Sequence, residues 1–347
     1  MGFTPLQGGS EVSLFSKRHT DEAGALPFEG QLAEFDGATG WLNSSPLSPA
    51  DVRGQVVLVD FWTYTCINWL RTLGYVRAWA DKYEDQGLVV VGVHTPEFSF
   101  ERDVDNVREA AKEMRVEYPI ALDSDYAVWQ AFSNHYWPAV YIADAEGQIR
   151  HHQFGEGGYE ECERIVQQLL REAGGDGISD DLVPAPTERF ELQADWANLE
   201  TPESYLGYEQ AQSFASPGGA KRNELRAYDT PEQLRLNQWA LTGDWTVGDK
   251  ACVLDEAGGR IVFRFHARDV HLVMSPGGRG RSVPFRVLVD GEPPGDAHGF
   301  DVDMEGRGTL SEERLHQLIR ERGPIADRTF EISFDAPGAE AYCFTFG

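Results

Sequence analysis

The stretch VVLVDFWTYTCINWLRTL, Val56 to Leu73, reads as a buried strand that passes through a short polar turn into a helix beginning at Cys66. Unbroken apolar residues suit a strand covered on both faces. A cysteine at a helix start meets unpaired amide N–H groups and the positive end of the helix dipole, both of which favour a thiolate. A Cys-x-x-Cys motif would carry its second sulfur three residues later, where this chain has Trp69. Cys66 is therefore read as a reactive thiol without a partner in its own motif.

Outward from this junction the chain alternates strands and helices. The pattern gives a strand at LVVVGVH, a helix from Glu101 to Met114, an extended piece at YPIALD and a helix from Tyr126 to Phe132. Strands at AVYIAD and QIRHHQF follow, turned antiparallel by AEGQ, and then a helix from Tyr159 to Glu172. Residues 1–25 have no periodicity and form a loose lead-in; residues 26–173 form an α/β domain that opens with a hairpin from Leu26. Gly, Asp and Pro crowd residues 174–187, which read as a linker. From residue 188 to residue 347 the grammar changes to short alternating strands such as VPFRVLVDG, RTFEISFDAPG and AYCFTF, the mark of an antiparallel sandwich.

The chain has 347 residues, 41% of them hydrophobic, and a formal net charge of −27. That is enough for two packed domains, and both halves are acidic, which disfavours nucleic acid and anionic membrane surfaces as partners. No apolar run reaches the roughly 20 residues of a membrane span. The first thirty residues lack a basic region followed by an apolar core. The expectation is a cytoplasmic protein, or an extracytoplasmic one if this chain is a piece of a longer precursor. The four cysteines, Cys66, Cys162, Cys252 and Cys343, form neither a disulfide framework nor a zinc pattern. Cys162 is placed on the buried face of the last helix. Cys252 and Cys343 either meet in the sandwich or are two separate core residues.

VVLVDFWTYTCINW, LVVVGVHTPEF, WPAVYI and the AEGQ turn resemble the thioredoxin-like redoxins of the TlpA and ResA type. Together with GYEQAQSFASPGG, LNQWALTGDWTVG and AYCFTFG they are closer still to the soluble portion of DipZ-type thiol-disulfide proteins. The resemblance implies a thioredoxin-like α/β fold followed by a jelly-roll-like sandwich similar to a carbohydrate-binding module. It implies thiol-disulfide exchange with protein or small-molecule thiols and disulfides; no cofactor and no metal are expected. In that family the first cysteine attacks the substrate and a cis-proline faces it; the matching positions are Cys66 and Pro138. Glu97 matches an acidic residue near the active site and would act as proton acceptor, the alternative being a glutamate on a loop surface. Trp62, Thr65, Asn68, Trp69 and Trp137 are assigned to the substrate groove, with Trp69 as an apolar wall; Trp69 also fits a buried helix stripe with Leu73. The oligomeric state is left open, a dimer included.

Three chemistries suit one thiol: exchange through mixed disulfides, peroxide reduction through a sulfenic acid, or a non-catalytic binding scaffold. The T-x-x-C run Thr63 to Cys66 is shared with peroxiredoxins, but Val59 stands where their signature has proline. In the second domain DVDMEGRGTLSE, Asp301 to Glu312, has the acid spacing of a calcium-binding EF-hand loop, against which stands Gly308 at its eighth position. Trp239, Trp245, Tyr205 and Tyr208 are aromatic candidates for sugar binding or for the sandwich core.

Overall fold

The computed structural model describes residues 26–186 and 189–347, so the expected lead-in, residues 1–25, lies outside the described residues. Strands β1 (Gly30–Gln31), β2 (Gly40–Leu42), β3 (Val56–Trp62), β4 (Leu88–His94), β5 (Ile120–Leu122), β6 (Ala139–Ala143) and β7 (Gln148–Phe154) make one sheet in the order β1-β7-β6-β3-β4-β5-β2. Helices α1 (Ile67–Tyr83), α2 (Val104–Glu113), α3 (Ala127–Ala131) and α4 (Tyr159–Glu172) cover it. β3 pairs parallel with β4 and antiparallel with β6, so the strand leading to Cys66 is central and every one of its residues is buried. This is the thioredoxin-like fold.

Two expectations are corrected here. The hairpin from Leu26 does not form: β1 pairs with β7 and β2 with β5, at opposite edges of the sheet. β7 and β5, which would otherwise be the edges of the sheet, each gain a short covering strand this way, which a hairpin folded on itself would not supply. The helix expected from Glu101 is split into a 3₁₀ turn, Ser99–Arg102, and α2, because Asp103 caps α2 by accepting from Asp105 N at 2.9 Å.

The segment from residue 174 to residue 186 is pinned rather than free. Lys82 Nζ and Gln167 Nε2 donate to Asp181 O, and the Glu163 carboxylate accepts from Val183 N at 2.9 Å.

The remaining strands are β8 (Ser204–Tyr205), β9 (Leu225–Tyr228), β10 (Trp239–Val247), β11 (Cys252–Leu254), β12 (Arg260–Phe265) and β13 (Asp269–Ser275). After them come β14 (Val283–Val289), β15 (Arg307–Leu310), β16 (Arg314–Arg320), β17 (Arg328–Phe334) and β18 (Glu340–Phe346). All pair antiparallel. One layer runs β15-β14-β17-β12 and the other β11-β18-β13-β16, and β10 joins them by pairing β12 with its first half and β11 with its second. Trp239, Trp245, Phe263, Phe285, Phe330 and Phe344 fill the space between, so Trp239 and Trp245 are core residues of the sandwich. The outer face of the second layer turns toward the first domain: Val273, Leu315, Tyr342 and Cys343 share one hydrophobic cluster with Leu70, Leu73 and Val76 of α1.

The acids from Asp301 to Glu312 are engaged by arginines. Asp301 and Glu312 pair with Arg314, while Asp303 and Glu305 pair with Arg307. The segment leads into β15 and β16, not into a helix, and among the described residues no group of three or more His, Cys, Asp or Glu is arranged to hold a metal. Cys252 faces the sandwich core and Cys343 the first domain, on opposite sides of their layer, so the two do not meet.

Trp69 and Trp62 are both fully buried, their rings stacked at 4.3 Å, and Trp69 Nε1 donates to Asp60 Oδ2 at 2.9 Å. Trp69→Ala removes a buried indole and the donor to a buried carboxylate. It is expected to cost about 3–5 kcal/mol, read as a lower denaturant midpoint with an unchanged slope.

Candidate active site

β3 ends at Trp62 and the chain turns through Thr63, Tyr64 and Thr65 to Cys66, the N-cap of α1 in extended geometry. This is the turn the sequence called for: β-branched and aromatic residues hold the strand, and the first free amides of α1 open beside the sulfur. Cys66 is half-buried, and its thiol lies 3.8 Å from the carbonyl oxygen of Trp137. The Trp137–Pro138 peptide bond is cis. Trp137 is half-buried, and its indole donates to Thr95 O at 3.1 Å, linking the proline loop to the loop after β4.

That second loop carries Glu97. It is tied to the cysteine turn by Glu101, a fully buried carboxylate that accepts from Thr65 Oγ1 at 2.6 Å, from Glu97 N at 2.7 Å and from Phe98 N at 2.8 Å. The two oxygens of one side chain thus fix the spacing between Cys66 and Glu97.

The second domain completes the site. The Tyr205 hydroxyl on β8 donates to Glu97 Oε1 and lies 3.3 Å from Glu203 Oε2. Burial, then the charges of Glu203 and Glu101, push the Glu97 carboxyl up to about 8. The same surroundings act on the thiol: burial, then Glu97 and Glu203, raise the Cys66 pKa well above its ordinary value, and the amides of Trp69 and Asn68 offset this only in part. The expected thiolate-favouring helix start is therefore present but outweighed, because a half-buried sulfur facing two carboxylates is penalised for charge.

Of the residues assigned to the site, Cys66, Pro138, Glu97, Trp137 and the amide of Asn68 come together. Trp62, Thr65 and Trp69 do not line a groove: the two indoles stack on each other in the core, and Thr65 is buried with its hydroxyl on Glu101. Trp69 follows the buried stripe of α1 instead. His94 is also buried, between the rings of Trp62 and Tyr64, and burial lowers its pKa to about 3, so it stays neutral.

Sequence reasoning missed Asp60, Glu101, Glu203 and the role of Tyr205. Asp60 had a signal, the single charge inside an apolar strand; it is fully buried, with its pKa raised to about 7 by burial. Glu203 and Tyr205 lie more than one hundred residues from Cys66 in sequence, and no local pattern announces them.

The chain matches the AhpC/TSA family over residues 30–152 and the thioredoxin-like C-terminal domain family over residues 201–347. It is 36% identical over 331 residues to Protein DipZ of Mycobacterium tuberculosis, covering 94% of this chain and 44% of that protein. The chain thus spans less than half the length of the DipZ relatives it matches. To the thiol-disulfide oxidoreductase YkuV of Bacillus subtilis it is 36% identical over 141 residues, covering 41% of this chain and 95% of that protein. The solution structure of a thioredoxin-like protein in the oxidized form is 35% identical, with a TM-score of 0.39, and matches 41% of this chain and 96% of that one.

A folded Glu97 keeps its proton up to about pH 8 while the ordinary value is 4.5. Between those values the folded state binds the extra proton, so Glu97 costs stability progressively as pH rises through them. Glu97→Gln is expected to melt higher than the parent at pH 8 and close to it at pH 4, the pH 8 gain being on the order of a few kcal/mol. The same variant should lower the pH midpoint of Cys66 alkylation by iodoacetamide, since the second-largest cause of the raised thiol pKa is gone.

Proposed function

The chain belongs to the thioredoxin-like thiol-disulfide oxidoreductases, with an AhpC/TSA-type domain followed by a thioredoxin-like C-terminal domain, and on that premise we propose that it exchanges disulfides through Cys66 as first nucleophile. The observation that carries this reading is the meeting of three parts: the sulfur at the start of α1, the carbonyl before cis-Pro138 at 3.8 Å, and Glu97 beside them.

The chemistry follows from the protonation states. The resting group is a thiol, so attack needs a base at the moment of reaction. A carboxylate with a pKa near 8 is better matched to a thiol than one near 4.5, because less free energy is lost in the transfer. In the fraction of molecules whose Glu97 is ionised, a fraction that grows as pH rises toward 8, Glu97 takes the Cys66 proton as the sulfur attacks one sulfur of a substrate disulfide R–S–S–R′. The S–S bond breaks, R′–S⁻ leaves and recovers the proton from Glu97, and Cys66–S–S–R remains. A second thiol, R″–SH, attacks the substrate sulfur, giving R–S–S–R″ and restoring Cys66 as the thiol. Protein thiols and low-molecular-weight thiols such as glutathione both fit as reactants. Peroxide reduction would draw on the same base-assisted thiol, and Val59, standing where the peroxiredoxin signature has proline, counts against it.

Exchange with a glutathionylated peptide tests the proposal. Cys66→Ser should reduce the rate to background with the fold intact by circular dichroism, and exchange at the parent rate would overturn the reading. Glu97→Gln separates the roles: its thiolate is more abundant, yet its turnover should be slower. A faster turnover would remove Glu97 as the base.

A further inference from the structure

Cys66 needs something to release the mixed disulfide, and its own motif offers only Trp69, whose indole is buried and engaged with Asp60. Of the other three cysteines, Cys162 is on the buried face of α4, 3.7 Å from His151 Nε2. Cys252 points into the sandwich core, with its thiol on Leu206 O at 3.3 Å.

Cys343 is placed differently. It sits directly opposite Tyr205 in the β18–β8 pair, and directly opposed residues of an antiparallel pair project to the same face. The Tyr205 side chain crosses to Glu97 of the first domain, so the Cys343 side chain faces that domain too. Cys343 is buried in the cluster against which Cys66 and Tyr205 pack. Burial, then the charges of Glu203 and Glu97 and, less, of Cys66, raise its thiol pKa well above the ordinary value. Both cysteines are free thiols.

We infer that Cys343 is the second sulfur of the site, and that Cys66 and Cys343 form a redox pair across the two domains. This rests on the reading of Cys66 as the first nucleophile. Once Cys66–S–S–R has formed, the Cys343 sulfur attacks Cys66 Sγ. The Cys66–S–R bond breaks, R–S⁻ departs with the proton given up by Cys343, and a Cys66–Cys343 disulfide closes. Overall one substrate disulfide gains two electrons and two protons, and the two protein thiols lose them. A dithiol, or two equivalents of a monothiol, reverses the change and restores the reduced pair. Cys343 is only 2% exposed, so bulk disulfides do not reach it and oxidation enters through half-buried Cys66. The bond requires the sulfurs at about 2.05 Å, so β18 and β8 have to shift against the cysteine turn for it to close.

The experiment treats the full chain with oxidised glutathione, blocks remaining thiols and maps peptides without reduction. Two linked residues, Cys66 and Cys343, with no glutathione retained, are expected in the parent. Cys343→Ser should instead hold one glutathione on Cys66, and Cys252→Ser should behave as the parent. The inference is overturned if the parent retains glutathione on Cys66 for as long as Cys343→Ser does, which leaves the exchange chemistry of Cys66 standing. If Cys343→Ser takes up no glutathione on Cys66 and the parent shows neither glutathione nor a Cys66–Cys343 link, both that reading and this one fall. Should Cys343→Ser not fold, the parent map alone decides: a Cys66–Cys343 peptide supports the pair, and a Cys66–glutathione peptide without it overturns the pair.

Discussion

The indole of Trp69, stacked on Trp62 at 4.3 Å and hydrogen-bonded to Asp60 at 2.9 Å, fixes how α1 meets the sheet. Asp60 lies in the middle of β3, fully buried, where an unpartnered polar atom costs on the order of 1–3 kcal/mol. Trp69 and Tyr118 satisfy one of its oxygens, at 2.9 and 3.3 Å, and the other has no partner among the described residues. The helix start is therefore held in one orientation by a large apolar contact and one polar bond together. Cys66, three residues earlier and one turn away, is presented toward cis-Pro138 because Trp69 occupies the interior. The side chain that displaces the usual second sulfur is the one that anchors the helix carrying the first.

A second constraint is the number of carboxyl groups near one thiol. Glu101 holds the cysteine turn, Glu97 and Glu203 act on its thiol, and Asp60 is tied to Trp69 one turn into α1. Burial raises the pKa of Asp60, Glu97 and Glu101, so charge is kept out of the site at the cost of proton uptake. Glu101 is different in kind: four N–H and O–H donors converge on it, and it works as a bracket between two loops. Glu97, with a tyrosine donor and a pKa near 8, is the one poised to exchange a proton near neutral pH.

Much of the first domain was legible because its signals are local. Continuous apolar runs gave β3, β4 and β6, and the period of the final helix gave its limits from Tyr159 to Glu172. Whatever depends on long-range pairing was not legible: β1 and β2 look like neighbours in the chain but part to opposite edges. In the site, Cys66, Pro138 and Glu97 were readable from motif and resemblance. Trp62, Thr65 and Trp69 were misplaced because a motif fixes spacing along a turn but not which side of it a side chain takes, and burial decided that. Tyr205 and Cys343 come from β8 and β18, whose pairing with each other brings both toward Cys66 only when the second domain docks.

The docking surface itself is not uniformly apolar, and this bears on how far the domains can shift. Beside the row Leu315, Val273 and Cys343 runs a second row on the same face, Gln317, His271 and Thr345, across β16, β13 and β18. The side-chain polar atoms of all three are buried without a hydrogen-bond partner among the described residues, as is Arg71 Nε on the facing helix. Burial holds His271 neutral, its pKa lowered to about 3. Against these stand the Phe98 and Phe100 rings on Tyr342, each at 5.1 Å, the Arg71 contact to Phe346 O at 3.3 Å and the Tyr205–Glu97 bond. Each unsatisfied group gives back on the order of 1–3 kcal/mol when water reaches it, so parting the layers costs less than the apolar contacts alone would require. Arg279 on Asp103 at 2.7 Å and Asn106 on Glu313 at 2.8 Å add polar bonds between the domains at another part of the interface, so the unsatisfied row beside Cys343 is where the contact is least favourable.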